Sequence, residues 1–282
     1  MVLYKYKSFS STDSAGFAID SLKNKYLYFS RPSELNDPFD CQMPIDIQAS
    51  EKETQKWIDR NKHRMLSGNK FSTIEKFNQE REKGTAQKLL QVLSKKIAET
   101  THVLCLTGNE LNEVMWGHYG GNYKGICIGY NIENLCYTPL KIVAEDIITK
   151  IAFEIPYNDV IQFEKVSYDY DTNHKVHIIK EAQSQIDNVT YSITHKKECW
   201  KYEEEYRGTF FDFDKVNYPG QIISTKLFYS DNILSEIIFG NKLSIPEIEE
   251  IKNLIRCNYS NNVNFYIINA DLQNGKLIKV PI

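Results

Sequence analysis

The stretch THVLCLTGNELNEVMWGHYGGNYKGICIGYN, residues 101–131, decides the fold that we predict for this chain. Its first part, HVLCLT (102–107), alternates like a buried strand, and its last part, KGICIGYN (124–131), has the pattern of another strand. Between them, NEVMWGHYG (112–120) predicts a helical turn. The stretch therefore predicts two strands that are separated by a short helical element.

The segments before this stretch predict two more strands and a helical insertion. VLYKY (2–6) and YLYFS (26–30) are strand candidates, and an amphipathic helix from Ser14 to Lys25 lies between them. RPSELNDPFD (31–40) has the prolines and Asn/Asp residues of an ordered turn. Residues 51–100 are rich in Lys, Glu and Gln, and their apolar residues recur at helical spacing. The apolar residues of this helical insertion are Leu89, Leu90, Val92, Leu93 and Ile97.

The segments after this stretch add strands and two helices. Strand candidates lie at 147–153, 162–168 and 206–213, and a long helix is predicted at about 175–200. SEIIFG (235–240) is a strand, and SIPEIEEIKNLIR (244–256) is a helix with Pro246 in its first turn. VNFYIINA (263–270) and KLIKVPI (276–282) close the sheet.

This irregular order of elements predicts the fold class. Strands and helices do not alternate strictly, which favours an α+β fold over a doubly wound parallel one. We expect a central, mostly antiparallel β-sheet, either continuous or split in two, with flanking helices and the insertion at about 51–100. No stretch has the composition of a linker, so we predict one domain over residues 1–282.

Composition limits the partners and the compartment. The 282 residues carry 34 Lys and Arg against 37 Asp and Glu, so no overall field attracts nucleic acid or an anionic membrane. The six cysteines form no C-x-x-C pair, which argues against a zinc ribbon or a disulfide framework. No signal peptide or membrane-spanning stretch is recognisable, so we expect a cytoplasmic protein without a membrane partner.

Four segments concentrate polar and aromatic side chains beyond what packing requires. The most informative is WKYEEEYRG (200–208), because a strand there would place Glu203 and Glu205 on the same face. Two carboxylates in one pocket can divide the labour of stabilising positive charge and orienting a nucleophile. The alternative is a solvated acidic helix end in which Arg207 pairs with Glu203. The other three segments are LYKYKSF (3–9), YFSRPSELNDPFD (28–40) and MWGHYGGNYKG (115–125).

MWGHYGGNYKG places His118 beside the aromatic Tyr119 and among glycines that let a backbone approach a ligand closely. A lone histidine is more often structural than catalytic, and no second histidine lies at metal-ligand spacing. Asp37 and Asp40 are explained by a turn or a helix cap, with metal binding as the weaker alternative. Phosphate-loop, strand-linked dinucleotide-binding, nucleophile-elbow and H-E-x-x-H motifs are all missing from the sequence.

Taken together and in order, these segments resemble a large bacterial family of unknown function, DUF2971. The resemblance rests on LYKYKSF, LYFSRPSELNDPFD, VLCLT, MWGHYGGNYKGICIGY, WKYEEEYRG and SEIIFG, and it runs from about residue 3 to residue 270. The family name itself implies no activity.

The opening of the chain is also similar to ADP-ribosyltransferase folds, in which a first strand, a helix, an aromatic-small strand and a later glutamate strand follow in order. Tyr4-Lys5-Tyr6, Tyr28-Phe29-Ser30 and Glu203-x-Glu205 correspond to the three motifs. The family pattern usually has His or Arg where this chain has Lys5.

This second resemblance implies that the chain uses NAD as a substrate and needs no metal. Glu205 would stabilise the positive charge that develops on the ribose, Glu203 would position the acceptor, and Tyr28 would stack on nicotinamide. The remaining contacts to ribose, phosphate or acceptor would come from Tyr4, Lys5, Tyr6, Ser30, His118, Tyr119 and Arg207.

We therefore expect an NAD-consuming transferase, a toxin or phage-defence effector that modifies nucleic acid or protein and whose partner is an antitoxin or a defence complex. Two alternatives stay open. One is a metal-dependent nuclease or phosphoesterase that uses Asp37, Asp40, His118 and the residues from Glu203 to Glu205. The other is a non-catalytic module that binds a nucleotide or a partner protein.

Overall fold

The computed structural model describes residues 1–41, 45–46, 48–61, 72–137, 140–146, 152–157, 161–171, 176–177, 179, 185–211 and 220–282. These residues group into two compact units. The first unit contains residues 1–30, 102–166 and 199–282, and the second contains residues 31–101 and 167–198. The predicted α+β class, with a mostly antiparallel sheet, is confirmed.

An eight-stranded sheet is the centre of the first unit, with the order β14-β13-β12-β5-β1-β4-β10-β8. In this sheet, the pairs β1–β4, β1–β5, β5–β12, β8–β10 and β13–β14 are antiparallel. The pair β12–β13 is the parallel one among the pairings described for this sheet. The strands are β1 (Val2–Ser8), β4 (Thr101–Thr107), β5 (Gly125–Asn131), β8 (Phe163–Lys165), β10 (Glu205–Phe211), β12 (Leu234–Phe239), β13 (Asn264–Asp271) and β14 (Lys276–Pro281).

A second sheet of the first unit has four strands in the order β2-β11-β6-β7. They are β2 (Tyr26–Tyr28), β6 (Leu140–Asp146), β7 (Ala152–Tyr157) and β11 (Gly220–Phe228). Both described partners of β11 run antiparallel to it. The unit also contains the helices α1 (Thr12–Lys23), α5 (Glu113–His118), α6 (Ile132–Tyr137) and α8 (Ile245–Asn258).

Side-chain alternation gives the eight-stranded sheet two different faces. On the face that α1 and α8 cover, here called the helix-covered face, Leu3, Leu104 and Phe210 join a large apolar core. On the opposite face, here called the tyrosine face, Tyr4 and Tyr6 pack with Trp116 of α5 in a separate cluster. The two faces therefore offer an apolar core on one side and a polar-aromatic layer on the other.

Local sequence explains the two covering helices. Ser11 and Ser14 form a capping box at the start of α1, and Ser244 and Glu247 form another at the start of α8. A proline stands in the first turn of α8, where its missing N–H costs nothing. The buried apolar residues of these helices, such as Leu22 of α1 and Ile251 of α8, then join the core of the helix-covered face.

The second unit is mainly helical. The helices α2 (Glu51–Asn61), α3 (Ile74–Glu82) and α4 (Thr85–Thr100) supply the predicted helical insertion as far as the structure describes it. The unit also contains the parallel pair β3 (Ile45–Asp46) and β9 (Val176–His177), and helix α7 (Gln185–Thr194). Ile58, Phe77 and Ile179 form its small apolar cluster. The prediction of one domain over the whole chain stays a prediction.

One sequence-based prediction about elements is wrong, two strands were missed, and one strand candidate lies mostly outside the described residues. The long helix at 175–200 is wrong, because Val176 and His177 form strand β9 and, among the described residues of this range, the α-helix covers Gln185–Thr194. Strands β6 and β11 were not predicted. They pair with each other, with register shifts along β11, and β6 also pairs with β7. Most of the strand candidate at 147–153 lies outside the described residues.

The central strand β5 offers a stability test. Ile128 is fully buried, so Ile128→Ala removes packed methylene groups and leaves a cavity, and we expect a loss of about 3 kcal/mol in the free energy of unfolding. Urea titration followed by intrinsic fluorescence measures it. Ile245→Ala is the matched control, because Ile245 is 78% exposed and the same change there should cost less than about 0.5 kcal/mol. Equal losses at both positions would contradict the assigned core.

Candidate functional site

Strand β4 changes its neighbour along one edge. Tyr4 of β1 is paired with Thr107, whereas Ser30, which follows β2, forms a bridge with Val103. Both hydrogen bonds of that bridge, between the main-chain groups of Ser30 and Val103, are 2.8 Å long. Strand β10 occupies the opposite edge of β4. We call the edge between the two pairings the split edge.

Cys105 lies midway along the split edge. Main-chain groups alternate in direction along a strand. Gly108 N donates to Glu204 O on the β10 side, so the odd-numbered Cys105 directs its main-chain groups toward the split edge, as Val103 does. The Cys105 carbonyl accepts a 2.8 Å hydrogen bond from Lys5 Nζ. A lysine side chain therefore contacts β4 between its two strand neighbours.

Glu205 and Arg207 form a buried ion pair at the start of β10. Arg207 Nε donates to Glu205 Oε1 at 2.9 Å, and Arg207 Nη2 donates to Glu205 Oε2 at 3.0 Å. The two residues are two positions apart, so both project on the same side of the strand. Glu205 is 3% exposed and Arg207 is 1% exposed. Such a bidentate pair holds a carboxylate in one orientation.

The thiol of Cys105 reports on this ion pair. Burial is the main cause that raises the pKa of Cys105 to about 12, and the nearby Glu205 carboxylate raises it further. The charges of Arg207 and Lys5 act in the opposite direction. These four residues are therefore electrostatic neighbours, and we call them the Cys105 cluster.

The segment before Glu205 is not a strand, which corrects the predicted geometry of Glu203. Glu203 ends a 3-10 helix (Glu198–Glu203), and Glu204 adopts a left-handed conformation with φ 43°. Glu203 and Glu205 are therefore not related by strand alternation. Glu203 is nevertheless buried, and its Oε1 accepts a 2.6 Å hydrogen bond from Tyr119 Oη.

The connection from β4 to α5 stabilises this unusual backbone. Asn109 Nδ2 donates to Glu204 Oε1 at 2.7 Å, and Asn112 Nδ2 donates to Tyr202 O at 2.7 Å. A residue of the tyrosine face also holds this connection, because Tyr6 Oη donates to Asn109 O at 3.0 Å. Residues 108–112, here called the Asn loop, thus connect Glu203, Glu204 and Glu205, here called the acidic triplet, to β1.

His118 lies at the surface, at the end of α5. Its ring stacks on Tyr202 with centroids 6.5 Å apart, and it lies at the same distance from the ring of Tyr119. The structure therefore brings the predicted His118 and Tyr119 to the acidic triplet, through Tyr202 and Glu203 respectively.

Tyr4 belongs to a second polar group on the tyrosine face. Tyr4 Oη donates to Glu236 Oε1 at 2.9 Å, and Lys279 Nζ lies 2.8 Å from the same oxygen. Burial raises the pKa of Tyr4, and the carboxylates of Glu110 and Glu236 raise it further. Glu236 and Lys279 were not among the site residues predicted from the sequence. A charged residue within the apolar strand SEIIFG was the available signal.

Tyr28 and Ser30 are placed differently from the acidic triplet. The ring of Tyr28 lies 5.7 Å from Phe17 of α1, on the side of the helix-covered face. Glu205 belongs to the opposite side, because Phe210 of the same strand faces the helix-covered core at odd spacing from Glu205. Ser30 lies on the split edge itself. The predicted residues therefore surround the split edge from two sides.

Asp37 and Asp40 belong to the second unit and are both buried. Asp37 Oδ1 accepts a hydrogen bond from the Phe39 N–H at 2.9 Å, as in a turn. Asp40 is paired with the buried Lys196 at 3.5 Å. Among all side chains that the structure describes, no group of three or more His, Cys, Asp or Glu is placed to hold a metal ion.

No helix within the described ranges combines the length and the apolar character that crossing a bilayer requires.

The ion pair predicts a strong asymmetry between single and double substitutions. Arg207→Met leaves the Glu205 carboxylate buried without its bidentate partner, so we expect a loss of about 3–5 kcal/mol in the free energy of unfolding. Glu205→Met combined with Arg207→Met removes both charges and should recover most of that loss. Urea denaturation of the three proteins measures it. A double variant as unstable as Arg207→Met would contradict the pairing.

Thiol reactivity tests the Cys105 cluster. Glu205→Gln removes a negative charge that raises the pKa of Cys105, so the thiolate fraction should rise at a fixed alkaline pH. Alkylation should become faster by about tenfold for each unit by which the pKa falls. The rate is measured by mass spectrometry of the Cys105 peptide during iodoacetamide treatment. Glu236→Gln, another buried glutamate, should leave the rate unchanged.

Comparison with known proteins gives one match. Residues 115–208 match the model of a family described as a protein of unknown function, DUF2971. No curated protein and no solved structure matches the chain. The similarity to DUF2971 is therefore supported over the part that contains α5, β5 and the start of β10, whereas the resemblance to ADP-ribosyltransferases is not supported by these comparisons.

Proposed function

We propose that this chain binds NAD at the split edge of β4 and transfers ADP-ribose to an acceptor. The observation that carries the proposal is the convergence at Cys105. Lys5 donates a hydrogen bond to the Cys105 carbonyl, and the Glu205–Arg207 pair acts on the Cys105 thiol. Ser30 pairs with Val103, two residues from Cys105 on the same edge of β4. These residues come from the three motifs that were predicted to act together.

The split edge suits a nucleotide because β1 and the segment after β2 diverge there while each contacts β4. Where β1 and the segment after β2 diverge, β4 has an edge position that is met by a lysine side chain rather than by a strand. Lysine is a cationic donor suited to phosphate. In this proposal Tyr28 stacks on nicotinamide from the side of α1, and the ribose faces Glu205 through the split.

Glu205 supplies the electrostatic part of the reaction. As the bond between ribose C1′ and the nicotinamide nitrogen breaks, its electron pair leaves with neutral nicotinamide and positive charge develops on the ribose. A carboxylate fixed by Arg207 needs no reorganisation to stabilise that charge. The acceptor atom then bonds to C1′ and releases its proton, for which the Glu203 carboxylate, hydrogen-bonded to Tyr119, is the proposed base.

The proposal includes the biological class. We propose a toxin or phage-defence effector of the cytoplasm, with nucleic acid or protein as the acceptor and an antitoxin or a defence complex as the regulatory partner. His118 and Tyr202 form a stacked pair, and Tyr202 is next to Glu203 in the chain, so they are the proposed contact with the acceptor.

A non-catalytic nucleotide-binding module is the second candidate. The observation that favours it is the burial of Glu205, whose two oxygens both accept hydrogen bonds from Arg207. A carboxylate occupied in this way can serve packing alone. The two candidates differ in whether bound NAD is consumed.

The test measures nicotinamide release from NAD by chromatography, with cell extract as the source of acceptors. We expect release by the wild-type protein and a loss of about 100-fold in Glu205→Gln. Glu236→Gln is the control, because Glu236 is also buried and is also paired with a cation. Release that is equal in wild type and Glu205→Gln would contradict the role of Glu205. Binding of NAD without any release would favour the non-catalytic module.

A further inference from the structure

Two lysines project from the same side of β1. Lys5 and Lys7 are two residues apart, and in the antiparallel pairing with β5 they stand opposite Ile128 and Ile126. Both isoleucines belong to the core of the helix-covered face. The side chains of both lysines therefore extend over an apolar surface.

Lys7 is held against an aromatic ring. Its Nζ lies 4.6 Å from the centroid of the Phe17 ring, and the side chain is partly buried. Phe17 in turn contacts the ring of Tyr28. Ring contact stabilises an ammonium group only modestly compared with a carboxylate partner.

Within the described part of the chain, no carboxylate lies at ion-pair distance from Lys7 Nζ. On its own strand Lys7 has Lys5 as its charged neighbour. In α1, Asp13 and Asp20 are the acidic residues one helical turn to either side of Phe17. Asp20 is already bound by Tyr26 Oη at 2.7 Å and lies 3.5 Å from Lys226 Nζ. The neighbouring strand β5 contributes only Ile126 and Ile128 opposite the two lysines.

This environment favours a neutral amine. Burial is the larger cause that lowers the pKa of Lys7 from 10.5 to about 7, and the charge of Lys5 is the second. An amine that is desolvated and close to another cation is the arrangement found at nucleophilic lysines. At pH 7 a larger fraction of Lys7 is then neutral than of a lysine whose pKa is 10.5.

We propose that Lys7 is a nucleophilic lysine that condenses with aldehydes bearing a phosphate group. The Lys7 nitrogen adds to the carbonyl carbon, the carbinolamine loses water, and a carbon–nitrogen double bond remains. Lys5 is the proposed phosphate partner, since its only hydrogen bond among the described residues goes to a neutral carbonyl. The rings of Phe17 and Tyr28 contact the apolar part of the molecule. This chemistry does not require NAD and goes beyond the proposed transfer.

Pyridoxal phosphate is the probe, because it is an aldehyde with a phosphate group and its imine is trapped by borohydride. The purified full chain is incubated with the probe and reduced, and the modified lysines are mapped by mass spectrometry. We expect Lys7 to react at least about tenfold faster than Lys226 at pH 7. Lys226 is the matched control, since it also lies over a ring, that of Tyr26, but has Asp20 as a carboxylate partner.

The pH dependence separates this chemistry from simple accessibility. Labelling of Lys7 should rise with pH around a midpoint near 7, whereas an ordinary lysine with a pKa of 10.5 shows no midpoint there. Lys5→Met removes the neighbouring charge, so the pKa of Lys7 should rise and its labelling at pH 7 should fall. It also removes the phosphate partner, so labelling by an uncharged aldehyde, acetaldehyde, is compared in the same variant.

The proposal is overturned if Lys7 and Lys226 are labelled at equal rates, or if Lys7 labelling in the wild-type protein shows no midpoint near pH 7. Lys7→Arg keeps the charge and the ring contact but removes the nucleophile, and it should abolish labelling at this position alone. Because the wild-type protein by itself gives the rate and the pH profile, a variant that fails to fold does not decide the result. Nicotinamide release is not part of this readout, so the two proposals fail independently.

Discussion

The buried pair of Glu205 and Arg207 is the interaction on which the rest of the site depends. The two charges are 3% and 1% exposed, and two hydrogen bonds between them offset part of the cost of burying them. The pair lies next to β4 at the point where that strand changes its neighbour. There, burial is the main cause of the raised pKa of Cys105, to which Glu205 adds and which Arg207 opposes. Its geometry therefore sets the electrostatic environment of the split edge.

The Asn loop connects this pair to the rest of the eight-stranded sheet. Glu204 can keep its left-handed backbone because its main-chain carbonyl and its carboxylate both accept hydrogen bonds from that loop. Tyr6 binds the loop from β1, so the first strand and the acidic triplet are joined through two amide side chains and one tyrosine.

The two faces of the sheet separate two kinds of chemistry. The tyrosine face collects carboxylates and hydroxyl groups, with Glu203, Glu205 and Glu236 all buried. On the helix-covered side, Lys5 and Lys7 extend over apolar residues. The split edge is where Lys5 meets the group that contains Glu205. In the proposed reaction, Lys5 faces the phosphates of NAD and Glu205 faces the positive charge that develops on the ribose.

The sequence by itself determined the α+β class, most strands of the large sheet and the two helices that cover it, because period-two and helical apolar patterns and Ser caps are local signals. Only the tertiary structure decided that Glu203 ends a 3-10 helix, that Glu236 and Lys279 join Tyr4, and that β6 and β11 form a second sheet. It also decided that Tyr28 and Glu205 lie on different sides. Strand pairing and side-chain hydrogen bonds between residues far apart in the chain set these features, and no local pattern encodes them.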